Sequence, residues 1–154
     1  MAEFGVISGS LGIVSLAIQV ANSVKKLKDF LNSVKEAPDE IKYTIRQIEA
    51  LDLVLSDRGA DEDDQNISEA ASIAMGTCKM FLNQAAGNLQ IIVKELDLAI
   101  SQRKRMGSFK AVLKQSTLDK LKQRLRDAQD LLVLSNQYYL QSVLSNYPAE
   151  READ

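Results

Sequence analysis

"NISEAASIAMGTCKMFLNQAAGNLQIIVKELDLAISQRKRM", residues 66–106, carries apolar side chains at Ile67, Ala71, Ala74, Cys78, Phe81, Ala85, Leu89, Ile92, Leu96 and Ala99. The steps between them are three and four residues, the period of one face of a helix, whereas a strand would alternate every two. Ten positions held in that phase predict a single long amphipathic helix. Gly76 and Gly87 interrupt it at a cost of about 1 kcal/mol each relative to Ala, so local irregularity is expected there. Arg103, Lys104 and Arg105 mark its end, where cations complement the helix dipole, and Gly107 follows.

The same period extends on both sides. Toward the C-terminus, Ser116-Thr117-Leu118-Asp119 reads as an S-x-x-D capping pattern opening a helix with Leu118, Leu121, Leu125, Ala128, Leu132, Ser135 and Tyr139 on one face. Pro148 stops it, and residues 149–154 form a charged tail that frays. Toward the N-terminus, Ile41, Ile45, Ile48, Leu51 and Leu55 define a helix entered at Pro38, with Asp39 and Glu40 in its first turn and Gly59 as its left-handed cap. Before it, Ile7, Leu11, Val14, Ile18, Ala21, Val24, Leu27, Leu31 and Val34 trace a first helix, with Asn22-Ser23 as a place for a bend.

Four amphipathic helices joined by short polar connectors predict an all-α, up-down-up-down four-helix bundle over residues 1–148. Helices one, three and four should each be roughly 45 to 55 Å long at about 1.5 Å per residue, which makes the bundle elongated.

Composition narrows the chemistry. The 154 residues are 45% hydrophobic and 26% charged, with no histidine, no tryptophan and one cysteine, which is ordinary for one globular domain. Lacking His, the chain has neither the commonest general base nor the commonest metal ligand, and one thiol makes no intramolecular disulfide. We therefore expect a non-enzymatic protein of a reducing compartment, without cofactor or metal. Cys78 reads as a small buried hydrophobe on its helical seam. Asp61-Glu62-Asp63-Asp64 lacks the spaced ligands and turn glycine of a calcium loop and reads as a solvated connector. Met1-Ala2-Glu3 has no basic n-region, so the start does not read as a secretory signal.

The first helix is unusual. Phe4 to Val24 carries no charge, and the segment is apolar nearly all round. Phe4, Ile7, Leu11, Val14 and Ile18 make the stripe a bundle needs, while Val6, Ile13, Ala17 and Val20 lie away from it. Gly5, Gly9 and Gly12 fall within about 60 degrees of one another at roughly 100 degrees per residue, a smooth strip of the kind that lets helices approach closely in bilayers. Twenty-one uncharged residues would span about 31 Å, the thickness of a hydrocarbon core. Four serines, Gln19 and Asn22 argue for conditional insertion over constitutive residence. The insertion set is then Phe4, Gly5, Val6, Ile7, Gly9, Leu11, Gly12, Ile13, Val14, Leu16, Ile18 and Val20.

Net charge is −2 but unevenly placed. Lys25, Lys26 and Lys28 follow the uncharged run directly, and Arg103 to Arg126 holds nine cations against Asp119 alone. Anionic lipid headgroups would meet Lys25, Lys26 and Lys28, with Arg103, Lys104 and Arg105 as a second contact. Nucleic acid is not expected as a partner, because Phe109 is the basic run's single aromatic and no binding motif accompanies it.

"MAEFGVISGSLGIVSLAIQVANSVKKLKDF" followed by "VKEAPDEIKYTIRQIEALDLVL" resembles the HeLo-like domain found at the N-terminus of fungal STAND (NLR-like) and related cell-death proteins. The resemblance is strongest over Met1 to Asp57, continues as helical pattern alone to about Tyr147, and rests on the glycine-bearing apolar opening, the early lysines and the A-P-x-E-I entry at Ala37, Pro38, Glu40 and Ile41. It implies a bundle similar in architecture to the four-helix executioner domain of the mammalian necroptosis pseudokinase. It further implies self-association on activation, driven by a downstream STAND or amyloid-signalling component, and movement from cytoplasm to plasma membrane with release of the N-terminal helix. No G-x-x-x-x-G-K-[ST] is present, so a nucleotide switch would belong either to a larger protein of which this is an excised domain or to a separate partner. Two readings remain: a membrane-permeabilising effector whose first helix leaves the bundle, and a non-lytic adaptor in which that helix stays buried.

Overall fold

The computed structural model describes residues 12–33, 37–58, 68–106 and 115–146, and among them forms four helices and no strand. These are α1 (Ile13–Asn32), α2 (Asp39–Arg58), α3 (Glu69–Met106) and α4 (Gln115–Asn146). The all-α four-helix bundle read from the sequence is what the chain forms. At 38 and 32 residues, α3 and α4 are about 57 and 48 Å long, and project past α1 and α2, which at 20 residues each span about 30 Å.

Each helix starts for a local reason. Gly12 is the N-cap of α1, with extended backbone (φ −76°, ψ 172°), and its carbonyl accepts from Leu16 N–H at 3.3 Å. Pro38 stands just before α2, and its carbonyl accepts from Ile41 and Lys42, while Asp39 and Glu40 occupy the first turn. Ser68 caps α3: its hydroxyl accepts the Ala71 N–H at 3.1 Å and its carbonyl the Ser72 N–H at 2.9 Å. Helical structure runs unbroken through Gly76 and Gly87 in α3 and through Asn22-Ser23 in α1, so neither pair ends its helix. In α4, helical structure begins at Gln115, one residue ahead of the expected cap Ser116, which therefore sits inside the first turn. Gly59, Asp61 to Asp64, Phe109, Tyr147, Pro148 and the tail lie outside the described residues.

Named pairs fix the helix directions. Lys28 on α1 meets Glu49 on α2, and Cys78 on α3 meets Ser135 on α4, which makes both hairpins antiparallel. Glu40 and Leu51 on α2 meet Lys122 and Asn136 on α4, so these two run parallel. Directions thus alternate along the chain, and α1 is parallel to α3. Helix α1 packs against α2 and α3, and α4 packs against α2 and α3, which leaves α1 with α4 and α2 with α3 on the diagonals. Helices α2 and α3, consecutive in the chain, are therefore not packing neighbours, contrary to the expectation from short connectors.

Facing apolar stripes fill the centre, with Ile13, Leu27, Ile41, Ile48, Leu82, Leu89, Leu125 and Leu132 fully enclosed. Small side chains meet where α3 touches α4: Ser135 donates to Cys78 O at 2.9 Å, and Ser142 to Ala71 O at 3.0 Å. The seams read for α2, α3 and α4 are the buried faces, apart from Leu51, Phe81, Ala99 and Leu118, which are partly covered at its rim.

The face of α1 differs from the expected one. Ile13, Leu16, Ala17 and Val20 are buried, Val14 is half-covered and Ile18 is 51% exposed. A helix apolar on every side offers several possible stripes, and packing against α2 and α3 selects the one continuous with Val24, Leu27 and Leu31.

Candidate functional site: a basic groove beside the N-terminal helix

The membrane-insertion set divides at Gly12. Phe4, Gly5, Val6, Ile7, Gly9 and Leu11 lie outside the described residues. Gly12 stands at the helix boundary in extended conformation, so a glycine strip on one continuous helix through Gly12 is not formed. Glycine's low helix propensity and tolerance of the N-cap place the boundary there. Of the remainder, Ile13, Leu16 and Val20 are core residues, and Ile18 alone is openly solvent-facing. Among the described residues no helix is long and apolar enough to cross a membrane.

Withdrawing α1 from this core is costly in water. Burial of Ile13, Leu16, Val20 and Val24 contributes about 1.5 to 3 kcal/mol per side chain. Their sum is on the order of 10 kcal/mol, comparable to the whole stability of a small domain. Only another apolar medium would offset that loss.

The lysines behave differently. Lys25, Lys26 and Lys28 are all exposed on the second half of α1. The α1–α2 hairpin brings Lys25 and Lys28 beside Lys42 and Arg46, and with Asp29, Leu31, Asn32 and Ile45 they line an open groove of about 370 Å³. Four cations against Asp29 give it positive character. Lys28 also bonds Glu49 at 2.7 Å, whereas no ion pair within the described residues engages Lys25, Lys42 or Arg46. Lys42 and Arg46 were missed in the sequence because they lie far from Lys25 and Lys28 along the chain. The antiparallel turn at Pro38 is the signal that joins them, since one helical turn separates each pair.

The second basic region is partly consumed within the fold. Glu40 bonds Lys122 (3.3 Å) and Arg126, and Glu95 bonds Arg124. Lys122 first, then Arg126, hold the Glu40 carboxyl below the usual range, and Arg124 does the same for Glu95. Arg103, Lys104 and Arg105 occupy the last turn of α3; their side chains are not among the described ones. They stand at the end of α3 that projects beyond the α1–α2 turn, on the same end of the bundle as the groove.

One buried group is left unsatisfied. Asp52 on α2 is 3% exposed, and its Oδ1 has no hydrogen-bond partner. Burial, with Glu49 adding repulsion, pushes its carboxyl up to about 7. Cys78 is buried, as its place on the seam indicated, with its sulfur 3.2 Å from Ser135 Oγ.

Chemically the arrangement offers cation-lined recognition of anions beside a helix of exceptional apolarity. No family model, curated protein or solved structure matches the chain.

Proposed function

We propose that the chain is a membrane-targeting, membrane-permeabilising helical bundle of fungal regulated cell death, as the resemblance to HeLo-like domains implies. It waits in the cytoplasm with α1 in the core and acts at the plasma membrane after self-association prompted by a STAND or amyloid-signalling component. The observation that carries this reading is the groove of Lys25, Lys28, Lys42 and Arg46, which lies along α1 just after the uncharged run. Each cation near an anionic leaflet contributes on the order of 1 kcal/mol. The bilayer then supplies the second apolar medium that Ile13, Leu16 and Val20 require before they leave the bundle.

Dye release from vesicles with and without anionic lipid tests the proposal with the full chain. Release that depends on anionic lipid, and that falls when Gly9→Leu bars the close helix-on-helix packing proposed for this segment in the bilayer, is the expected result. Absence of release from either vesicle at any protein density overturns it. A second reading, a non-lytic adaptor bundle, is favoured by the burial of α1. It predicts slow amide exchange through residues 13–21 whether or not vesicles are present.

A further inference from the structure

Helix α3 has a second apolar stripe that none of the other described helices packs against. Ile73, Met80, Ile91 and Leu98 are 65%, 49%, 52% and 63% exposed. At about 100 degrees per residue the four fall within roughly 20 degrees of one another, on the side opposite the core residues Cys78, Leu82 and Leu89. Gly76 and Gly87 flank the same stripe, and a Cβ added at either meets nothing within 4 Å. Two residues that weaken a helix therefore serve no packing purpose inside the bundle, although glycine is the residue that admits a second backbone closely.

We propose that the outer face of α3 is a homotypic interface on which a second copy of this chain docks antiparallel. The spacing of the stripe is palindromic: seven residues from Ile73 to Met80, eleven to Ile91 and seven to Leu98. A two-fold axis across the helix sets Ile73 against Leu98 of the second copy and Met80 against its Ile91, with Gly87 near the centre. This self-complementarity is what a closed dimer needs.

Charge selects the direction. Helix α3 carries Glu69 in its first turn and Arg103-Lys104-Arg105 in its last. A parallel pair would bring like ends together, whereas the antiparallel pair sets each basic end beside an acidic one. A helix of 38 residues with a contact strip about 10 Å wide would bury roughly 1,100 Å² in total, at the lower limit for specific complexes. At that size the dimer is expected to be reversible.

This dimer is one form of the self-association that the proposed function requires and rests on that reading for its purpose, but its existence is measured without lipid. Sedimentation of the full chain from about 1 to 500 μM should show monomer passing to dimer. Met80→Glu or Ile91→Lys alone should weaken association about tenfold or more, since each buries an unpaired charge, with helicity unchanged because both sites are exposed. An equimolar mixture of the two variants should recover the dimer, because the antiparallel register sets the new glutamate against the new lysine.

A wild-type chain that stays monomeric throughout, a dimer indifferent to both substitutions, or a mixture that fails to recover would each overturn the proposal. If Met80→Glu abolishes vesicle leakage while the wild type is monomeric, the stripe meets lipid instead and the dimer is excluded. A dimer that forms while leakage is absent leaves this interface standing and removes the membrane reading.

Discussion

Ser135 on α4 touches Cys78 on α3 twice: its hydroxyl donates to the Cys78 carbonyl at 2.9 Å and lies 3.2 Å from the sulfur. One heptad along, in opposite senses on the two helices, Ser142 donates to the Ala71 carbonyl at 3.0 Å. The two contacts set the register of the longest hairpin in the molecule. Both are buried and small, so the backbones approach closely.

Replacing either serine with alanine removes a buried hydrogen bond while opening little space. Each of Ser135→Ala and Ser142→Ala should lower stability by about 1 kcal/mol. The sites are about 10 Å apart, so the double variant should be additive to within about 0.5 kcal/mol. Urea unfolding measures both quantities, and a double variant far below the sum would show that the two contacts hold the register together.

Asp52 predicts a pH dependence of definite sign. Burial pushes its carboxyl up to about 7, well above the ordinary aspartate range, so the folded chain keeps a proton that the unfolded chain has lost. Stability is then fully present below about pH 4, falls as pH rises toward 7, and levels off above. Glu40 and Glu95 have lowered values, and their contribution is lost only as pH falls below the ordinary carboxylate range. Between pH 5 and 8 the slope therefore belongs to Asp52, and the melting temperature should be lower at the alkaline end. Asp52→Asn should abolish that slope and raise the melting temperature at pH 8. A wild-type melting temperature that is flat across this range would contradict the account.

Gly76 and Gly87 sit in mid-helix with open space where a side chain would go. Gly76→Ala and Gly87→Ala should each stabilise the chain by about 1 kcal/mol through helix propensity and reduced freedom of the unfolded state. Thermal melts at a dilution where the chain is monomeric read this without interference from assembly. A loss of stability in either variant would mean that the helix departs from regular geometry at that turn.

How far the fold could be read depended on contrast within each helix. Helix α3 carries apolar residues on two sides, since Ile73, Met80, Ile91 and Leu98 lie opposite Leu89, yet in α2, α3 and α4 the stripes that hold the three-and-four spacing through Ile45, Leu89 and Leu125 prove to be the buried ones. In α1 the first charged residue after Glu3 is Lys25, and Ile13, Ala17 and Val20 are opposed only by uncharged residues such as Ser15, Ile18, Gln19 and Asn22, so the period is legible but its phase is weakly marked. Helix directions followed from short connectors. The diagonal placement of α2 and α3 did not, since the segment between Arg58 and Ser68 is long enough to cross the bundle as well as to join neighbours. The lysines beside α1 were visible, whereas the groove was not, because half of it is contributed by Lys42 and Arg46 from across the turn.

That groove yields the sharpest test of how the bundle meets an anionic surface. Lys42 and Arg46 are exposed, line the groove and have no ion-pair partner among the described residues. Lys122 and Arg126 are already bonded to Glu40. Replacing Lys42 and Arg46 with Gln removes two charges that face outward without breaking a contact that holds helices together. If each contributes on the order of 1 kcal/mol at a charged leaflet, affinity for anionic vesicles should fall by roughly 10- to 30-fold, with the melting temperature unchanged. Replacing Lys122 and Arg126 with Gln should weaken binding less, because Glu40 already neutralises part of their charge, and it also removes the ion pairs between α2 and α4. Raising the ionic strength should diminish the difference between wild type and the groove variant, since screening acts on exposed charges. Vesicle co-sedimentation compares the two pairs directly. Equal losses in both would mean that the surface responds to total positive charge, whereas a loss confined to Lys42 and Arg46 would place the headgroup contact in the groove beside α1.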